Sequence, residues 1–247
     1  MKSTIFLTIL LLFAGCHTTQ QPLFTVAAAA NVQFAMQDIV AEFEKIYGHK
    51  VNLVIGSSGK LTAQIQQGAP YSIFLSADKK YPTLLFEKKK AIHLPEVYMV
   101  GKLALWSNNN FKINDLNELK NPDIKRIAIA NPLNAPYGQE AENALKYYQL
   151  WDAVQPKLVF GESIAQTNQY ILSGACEVGF TALSTAFAKD INHRGHWLPI
   201  DEKSYKPIQQ GAVITAYGEK YCPEISKKFY QFLFSDAAKT IFTQFGQ

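Results

Sequence analysis

Apolar and polar positions follow two alternating patterns along this chain. Short apolar runs typical of buried strands alternate with segments whose apolar residues recur every three to four positions, as in an amphipathic helix. This alternation predicts β-α-β units, which build mainly parallel sheets. The predicted strands are 24–28, 51–55, 73–75, 98–106, 126–130, 157–160, 178–181 and 207–216, and the predicted helices are 32–47, 58–68, 81–89, 139–150, 164–172, 184–189, 222–234 and 237–245.

The alternation restarts after the long apolar strand at 98–106, and a returning strand at 207–216 precedes the last helices. This order predicts an α/β fold of two parallel-sheet lobes joined by two crossing strands. One lobe comprises residues 23–104 and 208–247, and the other comprises residues 105–207. Because open α/β sheets bind ligands at the carboxyl ends of their strands, we expect a ligand cleft between the lobes.

The first 22 residues have a different pattern. Lys2 precedes an apolar run at 5–13, which is too short to span a bilayer, and the small residues Ala14 and Gly15 follow it. A basic start, a short apolar run and small residues predict a cleaved secretory signal peptide over residues 1–15.

Cys16 directly follows these small residues, and the segment is similar to the lipobox of bacterial lipoproteins. The resemblance implies a lipid attached to Cys16, with residues 16–22 as a polar tether. Phe13 stands where leucine is commonest, and an ordinary signal peptide cleaved nearby is the alternative. Export implies an oxidising compartment, and the sequence leaves open whether Cys176 and Cys222 form a disulfide or remain buried thiols.

Composition describes a globular protein with a substantial core, since 48% of the 247 residues are hydrophobic and 18% are charged. The formal net charge of +4 comes from scattered lysines, and the densest run, 88–90, fits the solvated end of a helix. No basic stripe with interleaved aromatic residues occurs, so we expect no nucleic-acid partner.

Four junctions between a predicted strand and a predicted helix carry small or polar residues. At a helix start the first N–H groups are unpaired and carry a partial positive charge, and small residues let an anion approach them. Each junction taken alone also fits an ordinary helix cap or turn. Their occurrence at equivalent places, two in each lobe, predicts an oxyanion site built from uncharged donors: Ala30-Asn31, Ser57-Ser58, Pro136-Tyr137-Gly138 and Glu162-Ser163-Ile164.

Other kinds of site have less support. The run from Gly56 to Lys60 has two residues before its Gly-Lys pair where a phosphate-binding loop needs four, and Leu61 follows the lysine. His193 and His196 are the one close pair of histidines, in a polar, turn-like segment, which is weak support for a metal site. The sequence has no Gly-x-Ser-x-Gly elbow. We therefore expect no catalytic residues and no cofactor.

Several segments together resemble the periplasmic molybdate-binding proteins of ATP-driven transporters. The resemblance covers residues 23–247 and implies the type II periplasmic-binding, or Venus-flytrap, fold. It lies in the order and spacing of short motifs: 26–31 (VAAAAN), 56–61 (GSSGKL), 68–70 (GAP), 74–78 (FLSAD), 130–132 (ANP), 135–138 (APYG), 179–184 (GFTALS) and 210–213 (QGAV).

The resemblance also implies a set of ligand residues. In the family, residues at the first two strand-helix junctions, in a Pro-x-Gly loop and at the helix start after a Gly-Glu segment hold the oxyanion. The matching residues here are Ala30, Asn31, Ser58, Tyr137 and Ile164. The implied donors are the side-chain amide or N–H of Asn31, the hydroxyl and N–H of Ser58, and the N–H groups of Tyr137 and Ile164. A metal would be present only as the molybdenum or tungsten of the bound oxyanion.

The chain departs from the family pattern at a few positions. Some members have serine at the position of Asn31, tyrosine at Ala182, and aspartate at Ser72. Alanine at position 182 cannot make the ligand contact of a tyrosine there, and the hydroxyl of Tyr137 is a candidate to make that contact instead. Lys60 lies beside the expected pocket, and we expect it to point away from the ligand.

The function implied is capture of molybdate or tungstate and delivery to the permease subunits of an ATP-driven transporter. It implies a monomeric, non-catalytic protein of the periplasm, anchored by its lipid to a membrane facing that compartment. Binding of another oxyanion, such as sulfate or phosphate, and an enzyme built on the same bilobal fold are the alternatives.

Overall fold

The strands of this protein form two separate five-stranded sheets. The structure, a computed structural model, describes residues 23–107 and 111–246; the predicted signal peptide, the tether and Cys16 lie outside them. In chain order the strands are β1 Thr25–Ala29, β2 Asn52–Gly56, β3 Ile73–Leu75, β4 Glu96–Gly101, β5 Leu103–Ser107, β6 Ile127–Ala130, β7 Leu158–Gly161, β8 Val178–Ala182, β9 His196–Pro199 and β10 Ile208–Ile214.

Helices connect these strands and cover both sheets. None of the helices in the described ranges is long and apolar enough to span a bilayer. The helices are α1 Gln33–Tyr47, α2 Ser58–Gln66, α3 Lys80–Glu87, α4 Pro136–Tyr147, α5 Trp151–Val154, α6 Ile164–Leu172, α7 Ala216–Tyr221, α8 Pro223–Leu233 and α9 Asp236–Gln244, with short 3-10 turns at Ala30–Val32, Leu116–Lys120, Gln155–Lys157, Leu183–Phe187 and Glu202–Ser204.

Each sheet is mixed, whereas the sequence predicted parallel sheets. The strand orders are β2-β1-β3-β10-β4 in the first sheet and β7-β6-β8-β5-β9 in the second. Strand β1 is parallel to β2 and β3, and β6 is parallel to β7 and β8, as β-α-β units require. Strands β10 and β5 run antiparallel to their neighbours. The α/β class and the two-lobed architecture are confirmed, and the parallel description is corrected at the strands that follow each crossing.

The two sheets define two lobes, which we call the first lobe (β1–β4, β10) and the second lobe (β5–β9). The chain crosses to the second lobe at Lys102, between β4 and β5, and returns between Pro199 and Ile208. The predicted single strand at 98–106 is therefore two strands, one in each sheet. Strand β9 lies where a polar turn was expected. It forms a sheet edge against β5, and its Trp197 stacks on Trp106 with ring centroids 4.6 Å apart.

Each lobe has its own apolar core. In the first lobe, Phe43 of α1 meets Phe229 and Phe232 of α8 in edge-on ring contacts with centroids 4.9 and 5.5 Å apart. Burying a large apolar side chain contributes about 1.5–3 kcal/mol, so this cluster stabilises the first lobe. Cys176 and Cys222 pack in different core clusters, so no disulfide joins them.

Candidate functional site

Four segments, two from each lobe, meet around one cavity in the cleft. They are the 3-10 turn after β1 and the starts of α2, α4 and α6, which follow β2, β6 and β7. Together these segments line one small cavity of about 10 Å³. The structure therefore brings all five sequence-predicted site residues to one place: Ala30, Asn31, Ser58, Tyr137 and Ile164.

Backbone N–H groups are the donors that these helix starts offer. Ser58 and Ile164 are the first residues of α2 and α6, and Tyr137 is the second residue of α4, so their N–H groups have no acceptor within the helix. The N-cap serines of α2 and α6 accept from N–H groups further along, those of Lys60 and Gln166. Helix starts with open N–H groups carry partial positive charge and attract anions.

Ser58 adds a hydroxyl donor. Its side chain is buried, and its Oγ accepts a hydrogen bond from the N–H of Ala77 at 3.0 Å. Ala77 also lines the cavity. Because Ala77 occupies a lone pair of the hydroxyl, the hydroxyl hydrogen is left to donate to another acceptor. An oxyanion in the cavity provides such an acceptor.

Asn31 is held by both lobes. Its Nδ2 donates to Oε1 of Gln210 on β10 at 2.7 Å, and its carbonyl accepts from the Ser184 hydroxyl of the second lobe at 2.9 Å. These bonds use the side-chain amide and the carbonyl of Asn31, which is only 3% exposed. Its N–H, at the start of a helical turn, is the main-chain donor that remains for a ligand.

Tyr137 reaches from the second lobe to the crossing strand. A Cβ built on Gly101, at the end of β4, would lie 2.0 Å from the Tyr137 hydroxyl oxygen. The structure thus places this hydroxyl at the crossing strand, while the Tyr137 N–H lies in the first turn of α4. Burial raises the pKa of Tyr137 far above its ordinary value, with Tyr205 acting in the same direction and the Asn31 amide opposing them. The phenol is therefore neutral at physiological pH.

The residues that line the cavity carry no charge within the described part of the chain. Lys60 is not among them, and its Nζ pairs instead with Oε1 of Glu162 at 2.7 Å, with both side chains about half exposed. Residues 23–107 and 111–246 contain no group of three or more His, Cys, Asp or Glu side chains that could hold a metal ion. Neutral donors around a buried space suit an oxyanion, whose charge helix starts and N–H groups can offset.

Sequence reasoning missed the residues behind the ligand positions. Gln210 and Gly101 support Asn31 and Tyr137 from the crossing strands, and Ala77 orients Ser58. A polar residue among the buried positions of β10 was one signal for Gln210. The motifs at 74–78 and 210–213 contain Ala77 and Gln210, but the sequence assigned neither residue a role, and nothing in the local pattern distinguishes Gly101.

Two α/β lobes joined by crossing strands, with a neutral donor-lined cavity between them, define a two-lobed solute-binding protein. The chain belongs to the family of bacterial extracellular solute-binding proteins, which it matches over residues 24–247.

Relatives within this class include proteins named for molybdate binding. The chain is 40% identical over 196 residues to the molybdate-binding protein ModA of Azotobacter vinelandii, with 78% of each protein covered. It is 34% identical over 221 residues to ModA of Rhodobacter capsulatus, covering 89% of this chain and 86% of that protein. The solved periplasmic molybdate-binding protein of Azotobacter vinelandii superposes with a TM-score of 0.83 at 33% identity, over 90% of this chain and 97% of that one.

Proposed function

We propose that this protein captures molybdate or tungstate between its lobes and delivers the ion to the permease of an ATP-driven transporter. The observation that carries the proposal is the convergence of four helical starts and the Ser58 hydroxyl on one uncharged cavity. The names of the relatives from Azotobacter vinelandii and Rhodobacter capsulatus support the choice of ion. The ligand residues are those that line the cavity at these starts: Ala30, Asn31, Ser58, Tyr137 and Ile164.

Selectivity against sulfate follows from the size of the ion. Apart from the Ser58 hydroxyl, the donors are main-chain groups at the ends of strands and helices, so they cannot move inward independently. A smaller tetrahedral ion would leave some donors stretched or unpaired, and each unpaired buried donor costs about 1–3 kcal/mol. The same reasoning requires no lysine or arginine at the ion, in agreement with the pairing of Lys60 with Glu162.

The protein acts by binding and release, without catalysis and without a cofactor. The ion is enclosed by groups from both lobes, so the lobes must separate to admit or release it. We expect a monomer that works in the periplasm, the compartment named for the solved relative from Azotobacter vinelandii.

A thermal-shift titration tests the proposal. A ligand bound only by the native state stabilises it by RT ln(1 + [L]/Kd), about 2.7 kcal/mol at a hundred times Kd. We expect molybdate and tungstate to raise Tm in proportion to the logarithm of their concentration, and sulfate and phosphate to leave it unchanged. Stabilisation by sulfate or phosphate alone would favour a different oxyanion, and indifference to all four ions would reject the oxyanion site.

The lipid anchor is a separate part of the proposal and rests on the sequence around Cys16. If Cys16 carries a lipid, the full chain expressed in a bacterium partitions into detergent and yields an acylated N-terminal peptide by mass spectrometry. Cys16→Ser should then appear in the aqueous phase. Aqueous partitioning of the unchanged protein would favour an ordinary signal peptide.

A further inference from the structure

Gln210 lies on β10, behind the candidate ligand residue Asn31. Its side chain is fully buried, and its Oε1 accepts hydrogen bonds from Asn31 Nδ2 at 2.7 Å and from the Tyr98 hydroxyl at 3.1 Å. Tyr98 belongs to β4, the last strand before the chain crosses to the second lobe, and β10 is the strand by which it returns. Gln210 therefore ties Asn31 to both strands that connect the lobes, although it does not itself line the cavity.

The second lobe reaches the same place through Tyr137. A Cβ built on Gly101 would lie 2.0 Å from the Tyr137 hydroxyl oxygen and 2.7 Å from Gln210 Nε2, so both atoms lie over this glycine. Within the described residues, the Tyr137 hydroxyl, Gln210 Nε2 and Asn31 Oδ1 are buried and have no hydrogen bond of ordinary geometry, although the Asn31 amide is near enough to the Tyr137 hydroxyl to lower its pKa.

Unpaired buried polar atoms are few in native proteins, and each is destabilising. Three such atoms lie near one another here: Asn31 Oδ1 from the first lobe, the Tyr137 hydroxyl from the second lobe and Gln210 Nε2 from a crossing strand. An apolar cluster of the same shape would stabilise the lobes better, so stability alone does not account for these residue types. The arrangement instead connects the ligand cavity to the crossing strands.

We propose that Gln210 is a positioning residue for the oxyanion: from the crossing strand it fixes the Asn31 side chain, which directs the Asn31 N–H into the cavity. The inference rests on the proposed function and extends it to a residue that does not touch the ligand. Affinity then depends on the crossing strands as well as on the cavity wall.

A substitution that keeps the shape of Gln210 but removes its polar atoms tests this role. Gln210→Met leaves Asn31 Nδ2 without its acceptor, and we expect isothermal titration calorimetry to show affinity for molybdate reduced about tenfold or more. Gln209→Met is the matched control, because Gln209 is the exposed neighbour on the same strand and its side chain lies outside this network. The control should bind molybdate as the unchanged protein does.

Tyr98→Phe provides a second variant if Gln210→Met does not fold. It removes one hydroxyl oxygen, the second donor to Gln210 Oε1, while the ring keeps its contact with Phe242. We expect a loss of affinity of a few-fold, smaller than that of Gln210→Met, because Gln210 keeps its bond to Asn31.

Gln210→Glu distinguishes positioning from simple packing. A protonated carboxyl retains an acceptor for Asn31, and burial near a bound anion favours that protonated form. Affinity should therefore be near that of the unchanged protein at mildly acidic pH and fall as the pH rises, because the ionised carboxylate repels the oxyanion. The unchanged protein should show no such fall, since burial raises the pKa of Tyr98, Tyr137 and Tyr205 above this range.

The outcomes separate this inference from the proposed function. If Gln210→Met, or Tyr98→Phe in its place, binds molybdate as tightly as the unchanged protein and Gln209→Met, Gln210 has no positioning role and the proposed function stands. An affinity of Gln210→Glu that is weakened equally at every pH, the mildly acidic range included, also overturns the role. If the unchanged protein binds none of the four oxyanions, the proposed function fails, and the role of Gln210 fails with it.

Discussion

At the scale of single residues, Ser58 is the candidate ligand residue whose side chain donates a hydrogen bond. Removing its hydroxyl is therefore the most direct test of the proposed donors. Ser58→Ala deletes the hydroxyl and leaves the Ala77 N–H without its acceptor. At about 1–3 kcal/mol for a lost buried hydrogen bond, affinity for molybdate should fall roughly tenfold to a hundredfold by calorimetry. Ser173→Ala, at an exposed serine after α6, should change nothing. Equal affinities of the two variants would remove Ser58 from the site.

Gly59 joins the two lobes through a main-chain hydrogen bond. Its N–H donates to the carbonyl of Asn134 in the second lobe at 2.9 Å, and an added Cβ would lie 2.8 Å from the Asn134 Cβ. Gly59→Ala should hinder this approach and weaken molybdate binding. Because alanine is favoured over glycine in a helix by up to about 1 kcal/mol, the ligand-free protein should be as stable or slightly more stable. Weaker binding combined with a lower ligand-free Tm would instead indicate damage to the first lobe.

The identity of the candidate ligand residues was within reach of the sequence, but their orientation was not. Asn31 and Ser58 stand at helix starts, which local sequence signals identify. The partner that holds the Asn31 side chain is Gln210, 179 residues away along the chain. A contact of that separation exists only once both lobes and the crossing strands are folded. The position of the Tyr137 hydroxyl over Gly101 depends on the same long-range packing.

The helices and strands show the same division between local and long-range causes. The starts of α2 and α6 follow serine caps that are visible in the sequence. The break between β4 and β5 was missed because an apolar strand that changes sheets at Lys102 has the same pattern as one continuous strand. Strand β9 was missed because it is an edge strand. It forms by pairing with β5, which is distant in the sequence, so the local pattern does not show it.

Helix α2 also faces the second lobe through Lys60, whose pairing with Glu162 gives a prediction about charge. Both side chains are about half exposed, and exposed ion pairs contribute about 0–1 kcal/mol. Lys60→Met should therefore weaken molybdate binding by no more than about fivefold, and less at high salt. Lys50→Met, which breaks an exposed ion pair within the first lobe, is the control and should have no effect. Abolished binding in Lys60→Met would mean that the lysine contacts the ion.

Across the described part of the molecule, both polar and apolar contacts hold the lobes together. The polar contacts include Gly59 with Asn134, the Tyr81 hydroxyl with the Leu133 carbonyl at 3.2 Å, and Lys60 with Glu162. Small apolar residues of the first lobe, Ala29, Ala30 and Ala77, belong to the buried cluster that forms the core of the second lobe. Separating the lobes therefore breaks these bonds and exposes part of that apolar surface.

Ligand-dependent closure is the prediction that follows for the whole molecule. Shifting a two-state equilibrium from mostly open to mostly closed takes about 5.5 kcal/mol of differential binding. At the proposed site an oxyanion would supply this binding energy in the closed arrangement alone, because the starts of α4 and α6 face those of the first lobe across the cavity there. We expect small-angle X-ray scattering to show a smaller radius of gyration with saturating molybdate than without ligand, and no change with sulfate.

Ser58→Ala should need a higher molybdate concentration to reach the same compact state. An identical radius with and without molybdate, in a protein that calorimetry shows to bind it, would mean that the lobes are already closed and that the ion enters by local motion at the cavity mouth.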